Sequence, residues 1–377
     1  MKKIMVVFGT RPEAIKLAPV IKALKNEPHF QTIVCSTGQH REMLRQVLEI
    51  FNLSLDLDLD LMKPDQTLFD ITADSLSKLK SAVEKYEPEI IMVQGDTTTA
   101  FTSALAAFYK KIKVAHVEAG LRSYDLLHPY PEEANRRFIS VISDYNFVPT
   151  NDSEKNLLNE GFSPSSIYVT GNTVVDALLQ IKSKLDDKNY SGSLKSNLES
   201  KYSKNLFEKK YILVTLHRRE KFGSELENLL KTLEKLASSY PDYNFIYPVH
   251  LNPNVSGPVR NILSGKKNFY LIEPQDYLNF LFLMKECHFI MSDSGGVQEE
   301  CFVFRKPIIV MRTVTERNEA VKAGYAFLTG SDEKKILKTF AEIDSNLNAR
   351  FDYFTMENPY GDGTASEKIV RILKSNN

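Results

Sequence analysis

Short apolar, β-branched runs alternate with longer amphipathic stretches along this 377-residue chain, and the alternation starts twice. The first series is 4–8, 32–36, 90–94, 114–117, 146–148 and 167–169; the second is 211–216, 244–249, 269–272, 289–291 and 308–311. Strand, long helical stretch, strand is the rhythm of a parallel sheet with crossover helices. Within the first crossover, Leu17, Val20, Ile21 and Leu24 form a helical stripe, with Pro12 placed for a first helical turn. The alternating Leu-Asp run 53–61 fits an edge strand or an exposed loop equally well. Residues 186–210 are rich in Ser, Lys, Asn and Asp and read as linker. The expected fold class is therefore α/β with two Rossmann-like domains. The expected boundaries are 1–175, a linker region 176–210, a second domain 211–358, and a segment 359–377 packing back towards the first domain.

Two of the strand-to-helix turns are unusual. Gly9-Thr10-Arg11-Pro12-Glu13 follows the first strand, and Ser292-Asp293-Ser294-Gly295-Gly296-Val297-Gln298-Glu299-Glu300 follows the run 289–291. A small-residue turn between strand and helix gathers free backbone N–H groups and the positive end of a helix dipole, which suits a phosphate. Most such turns bind nothing. Two of them in separate halves point to a cleft holding a phosphate-bearing ligand between the domains.

Composition narrows the partners. Lys plus Arg and Asp plus Glu are 48 each, so the broad basic signature of a nucleic-acid binder is missing. No apolar stretch approaches the ~20 residues of a membrane span. The opening run 4–8 is too short for a secretory h-region. Cys35, Cys287 and Cys301 form no Cys-x-x-Cys pair, so neither a disulfide framework nor a zinc site is indicated. The expectation is a cytoplasmic protein with no nucleic-acid or membrane partner.

Ligands of such sheets bind beyond the carboxyl ends of the strands, and the polar candidates fall there. Asp96 follows 90–94 in Gln94-Gly95-Asp96-Thr97-Thr98. Glu118 follows the next strand in His116-Val117-Glu118-Ala119-Gly120-Leu121-Arg122. Glu132 sits in Pro131-Glu132-Glu133-Ala134-Asn135-Arg136. Carboxylates crowded in one pocket have their pKa values pushed apart, which yields an acid and a base at neutral pH. The bland alternative is that Asp96 and Glu132 cap helices. His217-Arg218-Arg219-Glu220 follows 211–216; its cations suit an anionic leaving group, or else an interdomain salt-bridge cluster. Zinc ligation by His116, Glu118 and His128 matches no metal spacing. There is no Gly-x-Gly-x-x-Gly after a strand and no Gly-x-x-x-x-Gly-Lys-Ser/Thr, so NAD and a P-loop triphosphate are unsupported and no cofactor is expected.

Taken together, these segments resemble the non-hydrolysing UDP-N-acetylglucosamine 2-epimerases. The likeness is collinear and continues through Thr315-Glu316-Arg317 to Asn358-Pro359-Tyr360-Gly361-Asp362-Gly363. It implies a glycosyltransferase-B-like fold with the two domains facing a cleft, a homodimer, no cofactor, and interconversion of UDP-GlcNAc and UDP-ManNAc. The implied chemistry is anti elimination of UDP to 2-acetamidoglucal and syn re-addition, supplying a precursor for cell-surface polysaccharide. By the same resemblance Asp96, Glu118 and Glu132 form the proton-transfer set, with His217, Arg11 and Ser294-Gly295-Gly296 on the departing diphosphate. Phe280 packs on uracil, Glu300 takes the ribose hydroxyls, and Lys16 and Arg136 contact sugar or phosphate.

The chain departs from the family in places. Cys301-Phe302-Val303-Phe304-Arg305 stands where Ala-Pro-Ser-Leu-Gly is usual. Arg312-Thr313-Val314-Thr315-Glu316-Arg317-Asn318-Glu319 stands for Arg-Asp-Thr-Thr-Glu-Arg-Pro-Glu, removing an acid and a proline. The second change keeps open a different UDP-2-acetamido sugar as substrate, and a UDP-sugar glycosyltransferase of the same fold is the other alternative. The resemblance also assigns Gln39, His40 and His250 to a second, activating UDP-GlcNAc site. There Glu42 and Asp65 replace a Gln and an Arg, and a carboxylate in place of a phosphate-binding Arg repels the ligand. Saturation with UDP-GlcNAc is therefore expected to be hyperbolic; a clearly sigmoidal curve would contradict this.

Overall fold

The structure, a computed structural model, describes residues 1–377 apart from 39–40, 64–65, 219–220 and 376–377, and apart from the side chains of 41–43. The chain divides into two units, 1–177 with 360–377, and 178–359.

The first unit runs β1 (Lys2–Phe8), α1 (Arg11–Asn26), β2 (Phe30–Ser36), α2 (Arg41–Phe51), β3 (Leu57–Asp58), α3 (Leu68–Tyr86), β4 (Ile90–Gln94) and α4 (Thr98–Tyr109). It continues through β5 (Lys113–Val117), α5 (Glu132–Ile142), β6 (Tyr145–Val148), α6 (Asn151–Asn159), β7 (Ile167–Val169) and α7 (Thr173–Leu185), which extends past the unit boundary. All strands are parallel, in the order β3-β2-β1-β4-β5-β6-β7. β1 and β4 are buried along nearly their whole length, which is why they read as unbroken apolar runs. The predicted stripe of α1 is fully buried. Of the Leu-Asp run, two residues pair at the sheet edge as β3 and Asp60 turns with φ +49°.

The second unit follows with α8 (Lys188–Lys201), β8 (Tyr211–Thr215), α9 (Ser224–Ser239), β9 (Asn244–Pro248), α10 (Pro253–Leu263), β10 (Phe269–Ile272), α11 (Tyr277–Glu286) and β11 (Phe289–Ser292). It ends with α12 (Gly295–Val303), β12 (Ile308–Val310), α13 (Asn318–Lys322), β13 (Ala326–Leu328) and α14 (Glu333–Asn348). Its sheet is again parallel, in the order β10-β9-β8-β11-β12-β13. The segment read as linker carries α8: Asp187 caps it by accepting from the N–H groups of Asn189 and Tyr190. Leu198 is its one buried side chain, so the pattern offered no stripe to read.

The chain returns to the first unit as α15 (Ala365–Ser375), which packs on α1. Its first turn is capped from a distance by buried Asp176 of α7, whose carboxylate accepts from Ala365 N at 3.3 Å and Ser366 N at 2.8 Å. Among the described residues, no helix is long and apolar enough to cross a membrane.

Both sheets reverse winding direction once, between β1 and β4 and between β8 and β11. Beneath the first reversal His116 is fully buried, its Nε2 donating to the Gly95 carbonyl at 2.7 Å. Burial pushes its pKa down to about 4. The unfolded chain therefore takes up a proton that the folded one refuses as pH falls from about 6.5 towards about 4. Stability from this group is complete above that window and lost on descending through it, by a maximum on the order of 3 kcal/mol. His116→Phe is expected to flatten the pH dependence there; urea unfolding of both proteins at pH 7 and pH 4.5 checks it, equal losses contradicting it.

Candidate active site

At the first reversal the turn from β1 to α1 is built around one carboxylate. Glu13 is 1% exposed. Its Oε2 accepts from Gly9 N at 3.1 Å, Thr10 N at 2.7 Å and Thr10 Oγ1 at 2.7 Å. Its Oε1 accepts from Thr97 Oγ1 at 2.6 Å, in the turn after β4. Burial pushes the Glu13 carboxyl above the usual range, and the four hydrogen bonds counter only part of that. This arrangement puts Arg11, half-buried, at the first position of α1, at the positive end of the helix.

Asp96 does not cap α4: Thr97 does, accepting from Ala100 N at 3.0 Å. The Asp96 carboxylate instead pairs with Arg136 Nη2 of α5, and its carbonyl accepts from Asn135 Nδ2 at 2.9 Å. Arg136 is buried, and its Nη1 also meets Glu133 Oε2 at 3.3 Å. Glu118 stands at the end of β5 with φ +65°, the left-handed region that a non-glycine residue enters at a cost of roughly 1–2 kcal/mol. Its Oε2 pairs with Lys16 Nζ of α1, both side chains largely buried. Glu132 opens α5, after Pro131 at the cap, one turn before Arg136 and so on the same helix face. Four of the predicted residues, Lys16, Asp96, Glu118 and Arg136, thus form two ion pairs, with Glu132 on the same helix face as Arg136.

The zinc alternative finds no geometry. His128 is exposed, with Nδ1 facing Asp125 Oδ2 at 2.9 Å, and His116 lies inside on Gly95. Among the described residues no group of three His, Cys, Asp or Glu is placed to hold a metal ion.

In the second unit the turns after β8 and β11 meet through Asp293, which is 1% exposed. Its carboxylate accepts from His217 N and Arg218 N, each at 3.1 Å, and faces His217 Nδ1 at 3.1 Å. Burial opposes the charge, but the His217 hydrogen bond and charge and the two backbone N–H groups outweigh it and hold the carboxyl below its usual range. The imidazole is exposed and presents its Nε2 edge outward from this anchor. His250, also exposed, stacks on it with ring centroids 6.1 Å apart. Gln39, His40, Asp65, Arg219 and Glu220 lie outside the described residues.

Ser294 precedes α12, and Gly295 and Gly296 are its first residues. A Cβ on Gly295 would stand 3.2 Å from Arg317 Nη1, so that glycine lets the guanidinium lie against the helix start. Arg317 Nε meets Glu299 Oε1 at 2.9 Å, and Thr315 Oγ1 donates to Gln298 Oε1 at 2.9 Å. Burial raises and then Arg317 and Arg312 lower the Glu316 carboxyl, to about 2. Tyr277 of α11 donates to Glu300 Oε1 at 2.9 Å, and Phe280 lies one turn on from Tyr277 on the same helix face. The departure at 301–305 is accommodated by packing: Cys301 is fully buried, and Phe302 meets Tyr325 and Phe354 edge-on at 5.0 Å.

Residue-by-residue reading of the sequence missed Glu13, Thr97 and Asp293. The Thr10-x-x-Glu13 spacing of a capping box was a legible signal for the first. Nothing local marked Thr97 as its partner or Asp293 as the anchor of His217, since these contacts join residues 84 and 76 positions apart.

Two doubly wound parallel units, each with charged residues at its reversal point, define an α/β enzyme of the kind that handles phosphate-bearing ligands. The family model described as UDP-N-acetylglucosamine 2-epimerase matches residues 22–374. The UDP-N-acetylglucosamine 2-epimerase of Escherichia coli O157:H7 is 48% identical over 377 residues, covering 99% of each chain. The crystal structure of UDP-GlcNAc 2-epimerase from Neisseria meningitidis bound to UDP-GlcNAc superposes with a TM-score of 0.92 at 46% identity, covering 99% of this chain and 100% of that one. A glycosyltransferase from Rickettsia africae shares the fold alone, with a TM-score of 0.61 at 15% identity. This chain belongs to the UDP-N-acetylglucosamine 2-epimerase family, and is an isomerase.

Asp293→Ala is expected to leave the His217 and Arg218 N–H groups without their acceptor and to lower stability by about 2–4 kcal/mol. Asp293→Asn, which keeps one accepting oxygen, is expected to lose less than half of that. Urea midpoints of the two variants check the ordering; equal losses would contradict it.

Proposed function

We propose that this enzyme interconverts UDP-GlcNAc and UDP-ManNAc, by anti elimination of UDP to 2-acetamidoglucal and syn re-addition. The C2–H bond of the substrate is not beside a carbonyl, so a direct deprotonation has no stabilised anion to form. As the C1–O bond breaks, the anomeric carbon becomes cationic and the C2 proton acidic. A base takes that proton, the electron pair closes the C1=C2 double bond, and UDP departs with the C1–O electrons. Re-addition of UDP at C1 with protonation of C2 from the opposite face gives the epimer.

The observation that carries this reading is the grouping of Asp96 with Arg136 and Glu118 with Lys16 at one reversal point, with Glu132 on the adjoining helix face. A proton that leaves one ring face and returns to the other calls for more than one carboxyl group, and Asp96, Glu118 and Glu132 supply that set. Lys16 and Arg136 orient these carboxylates and contact sugar or phosphate. Arg11, His217 and the Ser294-Gly295-Gly296 turn stabilise the departing diphosphate, His217 being held by Asp293. Phe280 packs on uracil, and Glu300, oriented by Tyr277, accepts from the ribose hydroxyls. The enzyme acts as a homodimer in the cytoplasm without a cofactor, and its product feeds cell-surface polysaccharide synthesis.

Proton NMR of the purified protein with UDP-GlcNAc in D2O tests the proposal. A growing UDP-ManNAc anomeric signal with deuterium at C2 of both sugars is expected, with traces of UDP and 2-acetamidoglucal. Turnover only of another UDP-2-acetamido sugar would replace the substrate and keep the mechanism; UDP release that requires an acceptor would make it a transferase. Asp96→Asn, Glu118→Gln and Glu132→Gln are each expected to lower kcat by ~10²–10⁴.

A further inference from the structure

Helix α1 carries Glu13 and Lys16, three residues apart and therefore on neighbouring positions of one helix face. The two side chains reach different strand ends. Lys16 holds Glu118 after β5, and Glu13 holds Thr97 after β4, next in sequence to Asp96. Thr97 Oγ1 does two things at once: it accepts from Ala100 N as the cap of α4 and donates to Glu13 Oε1. The N-termini of α1 and α4 are thus joined through one carboxylate that is 1% exposed.

On the Glu13 side chain a capping box needs only the bond from Thr10 N, on Oε2. The bond on Oε1 crosses 84 positions and adds nothing to the cap of α1. Its effect falls on Asp96, whose backbone is then fixed from two sides, by Thr97 on Glu13 and by its own carbonyl on Asn135. We infer that Glu13 is a positioning residue for the reaction: through Thr97 it sets where Asp96 stands relative to Glu118, which α1 holds one turn further along. The inference rests on the proposed role of Asp96. Misplacing a reacting group by about 1 Å costs a rate factor of up to ~10², so the coupling belongs to kcat rather than to substrate affinity.

The test is a double-mutant cycle on full-length protein with Glu13→Gln, Thr97→Val and the pair, plus Thr97→Ser, reading kcat, KM for UDP-GlcNAc and thermal midpoint. Each single variant is expected to lower kcat by ~10–100-fold while KM shifts by less than about 3-fold. The pair is expected to be no worse than the poorer single, because both cut one connection. Thr97→Ser, which keeps the hydroxyl, is expected to stay within about 3-fold of wild type. A Glu13→Gln enzyme with wild-type kcat and a lowered midpoint would overturn the inference and leave Glu13 a plain cap. So would single effects that multiply in the pair.

Thr97→Val against Thr97→Ser keeps the test decisive should Glu13→Gln fail to fold. A wild type inert towards UDP-GlcNAc would overturn the proposed function instead. In that event the 13C carboxyl resonance of Asp96, assigned with Asp96→Asn, still reads the coupling: it is expected to move in Thr97→Val and not in Thr97→Ser, and an unmoved resonance overturns the inference.

Discussion

A right-handed crossover from one parallel strand to the next places every helix start at the carboxyl edge of the sheet. Where the winding reverses, two neighbouring helix starts splay apart and leave backbone donors without a helical partner. In this chain that happens at β1/β4 and again at β8/β11, and both places are closed by a buried carboxylate. Glu13 gathers Gly9, Thr10 and Thr97; Asp293 gathers His217 and Arg218. Each satisfies donors that burial would otherwise make costly. Each also stands next to side chains for which a role is proposed: Arg11 and Asp96 beside the first, His217 beside the second. Removing either carboxylate would orphan several donors at once, so fold and site share the same few bonds.

Much of this was readable from sequence because parallel strands buried on both faces must be apolar throughout. Among the described residues, eleven of the thirteen strands are covered by such runs, and the candidates Asp96, Glu118, His217 and Ser294 follow them directly. Two edge strands were not read outright: β3, left open as strand or loop, has two residues, one half-buried and one exposed, and β13 has three. Helix α8 escaped because it buries one side chain and the 3.6-residue period has nothing to mark. The resemblance to known epimerases supplied roles that periodicity cannot, while the wiring between turns was not visible to either. Asp96 next to two threonines looks like a cap; only the fold shows Thr97 taking that job and freeing Asp96 for Arg136.

The charged pairs at these edges argue against a purely structural purpose. Lys16 with Glu118 and Arg312 with Glu316 have side chains exposed by 10% or less. Taking such charges out of water costs several kcal/mol per ion, and the mutual attraction only about offsets it, so well-packed apolar residues would serve stability as well or better. The rest of the two cores does just that, with fully buried aliphatic and aromatic side chains along every central strand. Charge is concentrated where the strands end, and so is the strained backbone of Glu118. A chain balanced at 48 positive and 48 negative residues has no need of these pairs for solubility. What they offer is charge fixed in direction before any ligand arrives: two cations hold two carboxylates in place in the first unit, and Asp293 holds His217 in the second. In the elimination proposed above, such preorganised charge does not have to rearrange as the C–O bond breaks, and that is the step at which the surroundings contribute most.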